Sequence, residues 1–344
     1  MSEKPTATPA LVAHGGNLHE AAQRYGMAWE TWIDLSTGIN PHGYPVPPVP
    51  ATAWRRLPDD GDGFAACAAR YYGAPDAQHV LPVAGSQAAI RALPALLPRT
   101  RVAIAPLTYG EYAPAFAQAG HEIAPLDVTH DALPDAIVHA VVVNPNNPTA
   151  THLDATRLLR WHAQLAARGG TLIVDEAFAD AFDAPQANTL ARATDRQGLV
   201  VLRSPGKFFG LAGARCGFAL AQPALLGALR ARLGAWTVSG PARHAVIHAF
   251  EDSVWQRTMR VHLAAESARL VALLRAHDFA PHATPLFAWV TDPRAPALQD
   301  ALARHAVWTR RFDAPASLRF GLPASEDEWR RFEHALAQAM RAIG

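Results

Sequence analysis

Between about residues 80 and 220, short apolar runs alternate with helical segments, and few folds accommodate that alternation. Val80-Leu81-Pro82-Val83, Arg101 to Ala105, Ala140-Val141-Val142-Val143, Thr171-Leu172-Ile173-Val174 and Leu199-Val200-Val201-Leu202 are too short for helices. They are also too continuously apolar for strands with one wet face. Helices are expected between them, over Ala88 to Leu97, Ala113 to Ala119 and Leu153 to Arg168. Buried strands joined by helical crossovers read as an α/β fold with a doubly wound, mostly parallel sheet.

Beyond Pro223 the pattern changes. Leu225 to Leu233, a segment with Pro241 at its first position, Val254 to His277 and Glu326 to Ala342 read as helices. Phe287 to Val290, Ala306 to Trp308 and Ser317 to Gly321 read as strands. That is a smaller α+β domain. Asp62 to Tyr72 is expected to be a helix, whereas residues 33–50, with five prolines, read as an extended arm without an element. The expected division is an N-terminal arm over 1–45 that joins the small domain, a large domain over 46–235 and the small domain over 236–344. Half of the 344 residues are hydrophobic, enough for a large core.

In such sheets, ligands bind at the C-terminal ends of the strands. Six features collect there. Gly85-Ser86-Gln87 opens a helix after the first run. Tyr109 follows the second, and Asn144-Pro145-Asn146-Asn147-Pro148-Thr149 follows the third. Asp175-Glu176 ends the fourth, an expensive place for carboxylates unless a cation needs them. Ser204-Pro205-Gly206-Lys207 follows the fifth, on an expected loop, and Arg215 comes eight residues later. Of 31 basic side chains only Lys4 and Lys207 are lysines. A chain that otherwise uses arginine keeps lysine where a deprotonatable, nucleophilic amine is required.

Together these residues fit pyridoxal 5′-phosphate. Lys207 would hold its aldehyde covalently, and Asp175 would pair with the ring nitrogen. Asn147 would hydrogen-bond the ring oxygen and Tyr109 would stack on the ring. Gly85, Ser86, Gln87, Ser204 and Arg215 would surround the phosphate. A pyridine nucleotide fits less well, because no Gly-x-Gly-x-x-Gly follows the first strand and Lys207 would have no task.

The ordered set Gly-Ser-Gln, Tyr, Asn-Pro-x-Asn-Pro-Thr, Asp-Glu-Ala, Ser-x-x-Lys and Gly-x-Arg-x-Gly resembles the class I/II aminotransferase superfamily over about residues 30–340. The resemblance implies a fold-type I, aspartate aminotransferase-like enzyme working as a homodimer. His14-Gly15-Gly16-Asn17 and Asp34-Leu35-Ser36-Thr37-Gly38-Ile39-Asn40-Pro41 are similar to the L-threonine-O-3-phosphate decarboxylase family of cobalamin biosynthesis. That likeness implies substrate contacts from His14, Gly15, Asn147, Arg310 and Arg319, with Arg319 taking the carboxylate. The implied product is (R)-1-amino-2-propanol O-2-phosphate. Gly38 replaces a frequent asparagine of that family, and Leu57 replaces a tyrosine that reaches the partner subunit's cofactor. Phe178, where many aminotransferases carry tyrosine, suits the decarboxylase.

The nearest rival is a histidinol-phosphate-type aminotransferase, and a more distant one is a non-catalytic cofactor-fold binding protein. With a formal net charge of +1 and no basic block, neither nucleic acid nor an anionic membrane is an expected partner. A small phosphorylated amino acid is. Cys67 and Cys216 lie far apart, so reduced thiols and a cytoplasmic location are expected. His244 and His248 lack an acidic third ligand in sequence, and no metal is expected.

Overall fold

The computed structural model describes residues 14–184 and 187–344. The first thirteen residues of the expected arm lie outside them. The described chain forms twelve strands: β1 Ile33–Leu35, β2 Val80–Val83, β3 Arg101–Ile104, β4 Glu122–Pro125, β5 His139–Val143, β6 Thr171–Asp175, β7 Leu199–Arg203, β8 Gly217–Leu220, β9 His282–Thr284, β10 Phe287–Thr291, β11 Val307–Asp313 and β12 Ala316–Phe320. Seven build one sheet in the order β2-β8-β7-β6-β5-β3-β4, and five build a second in the order β1-β11-β12-β10-β9.

The larger sheet is parallel from β4 through β7, with β8 antiparallel to both of its neighbours. It is the doubly wound α/β arrangement expected. Its central strands are apolar on both faces for a packing reason. On β5, Ala140 and Val142 join one core cluster, and Val141 and Val143 join another on the opposite face. Strands β6 and β7 split in the same way, Leu172, Val174, Leu199 and Val201 against Ile173, Val200 and Leu202. Successive strand residues point to opposite faces, so two buried faces require unbroken apolar runs.

Several sequence expectations are corrected. Residues 33–50 do contain an element: β1 pairs in parallel with β11, Ile33 opposite Val307 and Leu35 opposite Thr309. Three residues are too few to show a period, and only the long-range partner makes them a strand. Lys207 lies in a one-turn helix, Pro205–Phe208, rather than on a loop. The helix expected from Asp62 begins at Phe64, because the Asp62 carboxylate accepts the Phe64 N–H at 2.9 Å. Pro241 is second, not first, in the Gly240–Glu251 helix, whose cap is Ser239. Besides β1, two strands were not foreseen. β4 is an edge strand with little burial, and β9 has three residues.

Of the acidic pair after β6, Glu176 serves the core rather than a ligand. Its carboxylate accepts Arg203 Nη1 at 2.5 Å, and Arg203 Nη2 bonds Asp180, all three side chains being buried. The two carboxylates hold the Arg203 guanidinium well above its ordinary pKa. Removing one member would strand a buried charge.

Candidate active site

The strand ends of the larger sheet and strands β11 and β12 of the smaller one line a common cleft. One lobe encloses about 680 Å³, part of it open to solvent. Gly85, Ser86, Gln87, Tyr109, Asn147, Asp175, Ser204, Lys207 and Arg215 all line it. The adjoining lobe shares Tyr109, Asn147, Lys207 and Arg215 and adds His14, Gly15, Arg310 and Arg319. Every site residue expected from sequence therefore reaches one cleft.

Lys207 Nζ lies 5.7 Å from the centre of the Phe178 ring. Burial, then the nearby Arg319 and Arg215 cations, pushes its pKa down to about 8, with Asp175 opposing them. An amine so placed is partly neutral near physiological pH and able to attack a carbonyl. Because the folded value lies below the unfolded one, Lys207 disfavours the cofactor-free fold at neutral pH, and that cost is relieved as pH rises from about 8 to 10.5. The chain's two lysines make this measurable. In cofactor-free protein reductively methylated with a carbon-13 label, one lysine methyl resonance should titrate near 8. The absence of any lysine resonance titrating below the ordinary lysine range of about 10.4 would contradict the geometry.

Asp175 is buried, and its Oδ1 accepts the Ala177 N–H at 3.0 Å. Its Oδ2 accepts the Tyr112 hydroxyl at 2.8 Å. Burial raises its pKa, while those two hydrogen bonds and Lys207 oppose the rise. Tyr112 escaped the sequence reading, although it stands three residues after Tyr109 and donates its N–H to the Tyr109 carbonyl at 3.3 Å. Tyr109 itself has a pKa raised to about 12 by burial and the Asp175 and Glu111 charges, so its hydroxyl stays neutral. It donates to Gln87 Oε1 at 3.1 Å.

Gln87 lines the cleft, but both ends of its amide are already engaged. Its Nε2 donates to Glu111 at 2.8 Å. Glu111 is a buried hub that also meets Arg91 at 2.8 Å and His14 Nε2 at 2.7 Å. His14 thus comes to the cleft on an acidic partner, the second residue that sequence reasoning missed. The adjoining glycines dock on the 34–37 stretch. A Cβ on Gly15 would lie 2.3 Å from Ser36 O, and the Gly16 N–H donates to Ser36 Oγ at 2.7 Å.

Arg310 and Arg319 are cross-strand neighbours on β11 and β12. Burial and the Arg310 charge bring Arg319 down to about 10, and burial also lowers Arg310. Adjacent like charges repel, and an anion between them would relieve both. Arg319 is anchored through Nη2 to Ser36 O at 2.5 Å and through Nη1 to Asn147 Oδ1. With its carbonyl end engaged, Asn147 has its Nδ2 donor left for a ligand.

Pyridoxal phosphate fits these residues on two observations. Asp175 is a buried carboxylate with only neutral hydrogen-bond donors, a partner for a protonated ring nitrogen. The Ser86–Ala92 helix begins at Gly85 with no side chain capping it, and the Arg215 guanidinium lies against that glycine. Gly85 has φ +73, and a Cβ there would approach Arg215 Nη2 to 2.9 Å. A Cβ on Gly217 would meet the Ser86 backbone nitrogen at 2.4 Å. Gly217→Ala should therefore displace the Ser86 turn, lowering stability by about 1–3 kcal/mol and weakening cofactor binding. Thermal unfolding with and without cofactor, together with an absorbance titration, checks this. Cys216 also lines the lobe, but burial pushes its thiol up to about 12, which leaves it non-nucleophilic.

A half-buried lysine and a buried aspartate at the strand ends, over an uncapped helix start beside an arginine, define a pyridoxal-phosphate-dependent enzyme. The aminotransferase class I and II family model matches residues 59–336, and the chain belongs to that family. It is 50% identical to a threonine-phosphate decarboxylase of Pseudomonas aeruginosa, across 95% of this chain and 97% of the relative. It is 42% identical to a threonine-phosphate decarboxylase of a Sinorhizobium species, across 96% and 98%. Among solved structures, the histidinol-phosphate aminotransferase of Sinorhizobium meliloti in complex with pyridoxal-5′-phosphate superposes with TM-score 0.83 at 19% identity, each chain fully covered. The L-threonine-O-3-phosphate decarboxylase of Porphyromonas gingivalis gives 0.74 at 18%, across 89% of this chain and 99% of that one. At such identities the structures speak for the fold. Among the described residues, no helix is long and apolar enough to cross a membrane.

Proposed function

We propose that this chain decarboxylates L-threonine O-3-phosphate to (R)-1-amino-2-propanol O-2-phosphate for cobalamin biosynthesis. One observation carries the reading. A chain half identical to a threonine-phosphate decarboxylase along nearly its whole length presents Arg310 and Arg319 side by side in the cleft that Lys207 lines. A phosphorylated amino acid carries two anionic groups, and the two arginines and His14 supply recognition for them.

Pyridoxal phosphate, when bound, supplies the electron sink that accepts the pair left as the carboxylate departs from Cα. Lys207 would hold it covalently, and Asp175 would secure the ring nitrogen. Asn147 would donate to the ring oxygen, Tyr109 would cover the ring, and Ser86, Ser204 and Arg215 would hold the phosphate. Arg319 binds the substrate carboxylate, while Arg310 and His14 bind the substrate phosphate. Fixing those groups would hold the substrate in one orientation about Cα, and that orientation would select decarboxylation. CO₂ leaves and a proton takes its place on Cα. Lys207 Nζ, titrating near 8, is suited to deliver it. Phe178 brings an apolar ring to the position where many aminotransferases carry tyrosine, which suits the decarboxylase. It also explains Gly38, since a Cβ at position 38 would lie 2.9 Å from Phe178 Cε1 and 3.0 Å from Phe287 Cδ1.

The division proposed is the arm 1–45, a cofactor-binding domain 46–235 and a small domain 236–344, with β1 tying the arm to the small sheet. The enzyme is proposed to be a cytoplasmic homodimer. Trp54, Leu57 and Trp236 are 69%, 66% and 61% exposed, which suits burial against a second copy. The deciding experiment supplies L-threonine O-3-phosphate to the cofactor-loaded protein and follows CO₂ together with the amine. CO₂ with a phosphorylated aminopropanol is the expected result. Amino transfer to 2-oxoglutarate without CO₂ would make the enzyme an aminotransferase.

A further inference from the structure

His42, His262 and Glu266 converge away from the cleft, joining segments 220 residues apart. Their ligand atoms all lie within 4.8 Å of one another. His42 Nε2 is 3.0 Å from both Glu266 oxygens, and His262 Nε2 is 3.4 Å from Oε1. The two Nε2 atoms stand 3.3 Å apart, with the rings nearly perpendicular. We propose that these three side chains form a binding site for a zinc-class divalent cation, with water as fourth ligand.

The distances are those that zinc requires. With metal–ligand bonds of about 2.0–2.1 Å, tetrahedral geometry places neighbouring donor atoms about 3.3 Å apart. The observed edges are 3.0, 3.3 and 3.4 Å. His262 and Glu266 are one helical turn apart on the Ser253–Arg275 helix, so one face presents both. His42 closes the triangle from the arm. Two imidazoles and one carboxylate select zinc over magnesium or calcium, which prefer oxygen donors. Burial is graded, with the side chains of Glu266, His42 and His262 exposed by 13%, 24% and 49%. Two ligands are thus positioned by the fold, and the third leaves a side open for metal entry and water. The sequence conceals the site because its only i,i+4 histidine pair, His244 and His248, is elsewhere.

Location gives the site a consequence. The segment carrying His42 is laced to the Lys207 helix. The Asn40 N–H donates to Lys207 O at 3.0 Å, Asn40 Nδ2 to Phe208 O at 2.8 Å, and the Tyr44 N–H to Phe209 O at 2.8 Å. A cation bridging His42 to the long helix clamps the strap against which the lysine turn rests. Its role is structural, distant from the bonds that change.

The test is equilibrium dialysis of chelator-treated, cofactor-loaded protein against zinc chloride alone, with metal counted by mass spectrometry. One zinc per chain is expected, with zinc raising the unfolding temperature. His262→Ala keeps a good helix former at a half-exposed position and should fold. It and His42→Asn should each weaken zinc binding by about tenfold or more and lose the thermal shift. Equal zinc uptake by the variants, no stoichiometric uptake by the parent, or equal uptake of magnesium would overturn the proposal.

Discussion

Replacing Lys207 with alanine should reduce decarboxylation by about 10³-fold or more, equivalent to about 4 kcal/mol of transition-state stabilisation. Lys207→Arg should be nearly as damaging, and that comparison carries the information. Arginine keeps a cation where the Asp175 lobe meets the Arg319 lobe, but a guanidinium neither gives up its proton near neutrality nor attacks an aldehyde. The loss therefore follows the amine and not the charge. The low pKa, near 8, identifies what is lost, a base present in useful amounts at working pH. Turnover by CO₂ release and the absorbance of protein-bound cofactor should fail together in both variants. Substantial activity in the arginine variant would remove Lys207 from its role.

Arg319→Lys should lower kcat/KM for L-threonine O-3-phosphate by about 10²- to 10³-fold, the range for disrupting a buried, hydrogen-bonded charge. The side chain does three things through one planar fork. It bonds Asn147, bonds the Ser36 carbonyl, and faces the substrate lobe beside Arg310. An ammonium on a flexible stem cannot span Asn147 and Ser36 and still present a planar face to a carboxylate. Because Asn147 loses its orienting partner, the bound-cofactor spectrum should shift as well as the rate. A variant within about threefold of the parent, with an unchanged spectrum, would reduce Arg319 to packing. Arg310→Lys should raise KM with a smaller effect on kcat, since Arg310 takes no part in holding Asn147.

The cleft was largely legible in sequence because its residues follow runs whose burial is written in their composition. Lys207, Asp175, Asn147 and Arg215 each stand within a few residues of a strand end, and a doubly wound sheet carries strand ends to one edge. The residues that escaped are those whose task is to hold others. Tyr112 under Asp175 and Glu111 under His14 and Gln87 carry no pattern of their own, and only the folded geometry joins them to a partner. Glu176 shows the converse. Placed beside Asp175 and equally costly to bury, it calls for a cation from sequence, and only the fold shows that the cation is Arg203.

The sequence by itself determined the α/β class, the strand ends where chemistry collects and the amine that performs it. These depend on local quantities: apolar runs, turn residues and the near absence of lysine. Tertiary structure alone decided that residues 33–35 form a strand, that Arg319 orients Asn147 and that His42 meets His262 and Glu266. Each of these is a contact between segments more than 150 residues apart. Its energy comes from an approach that the whole core enforces, and no local pattern encodes it.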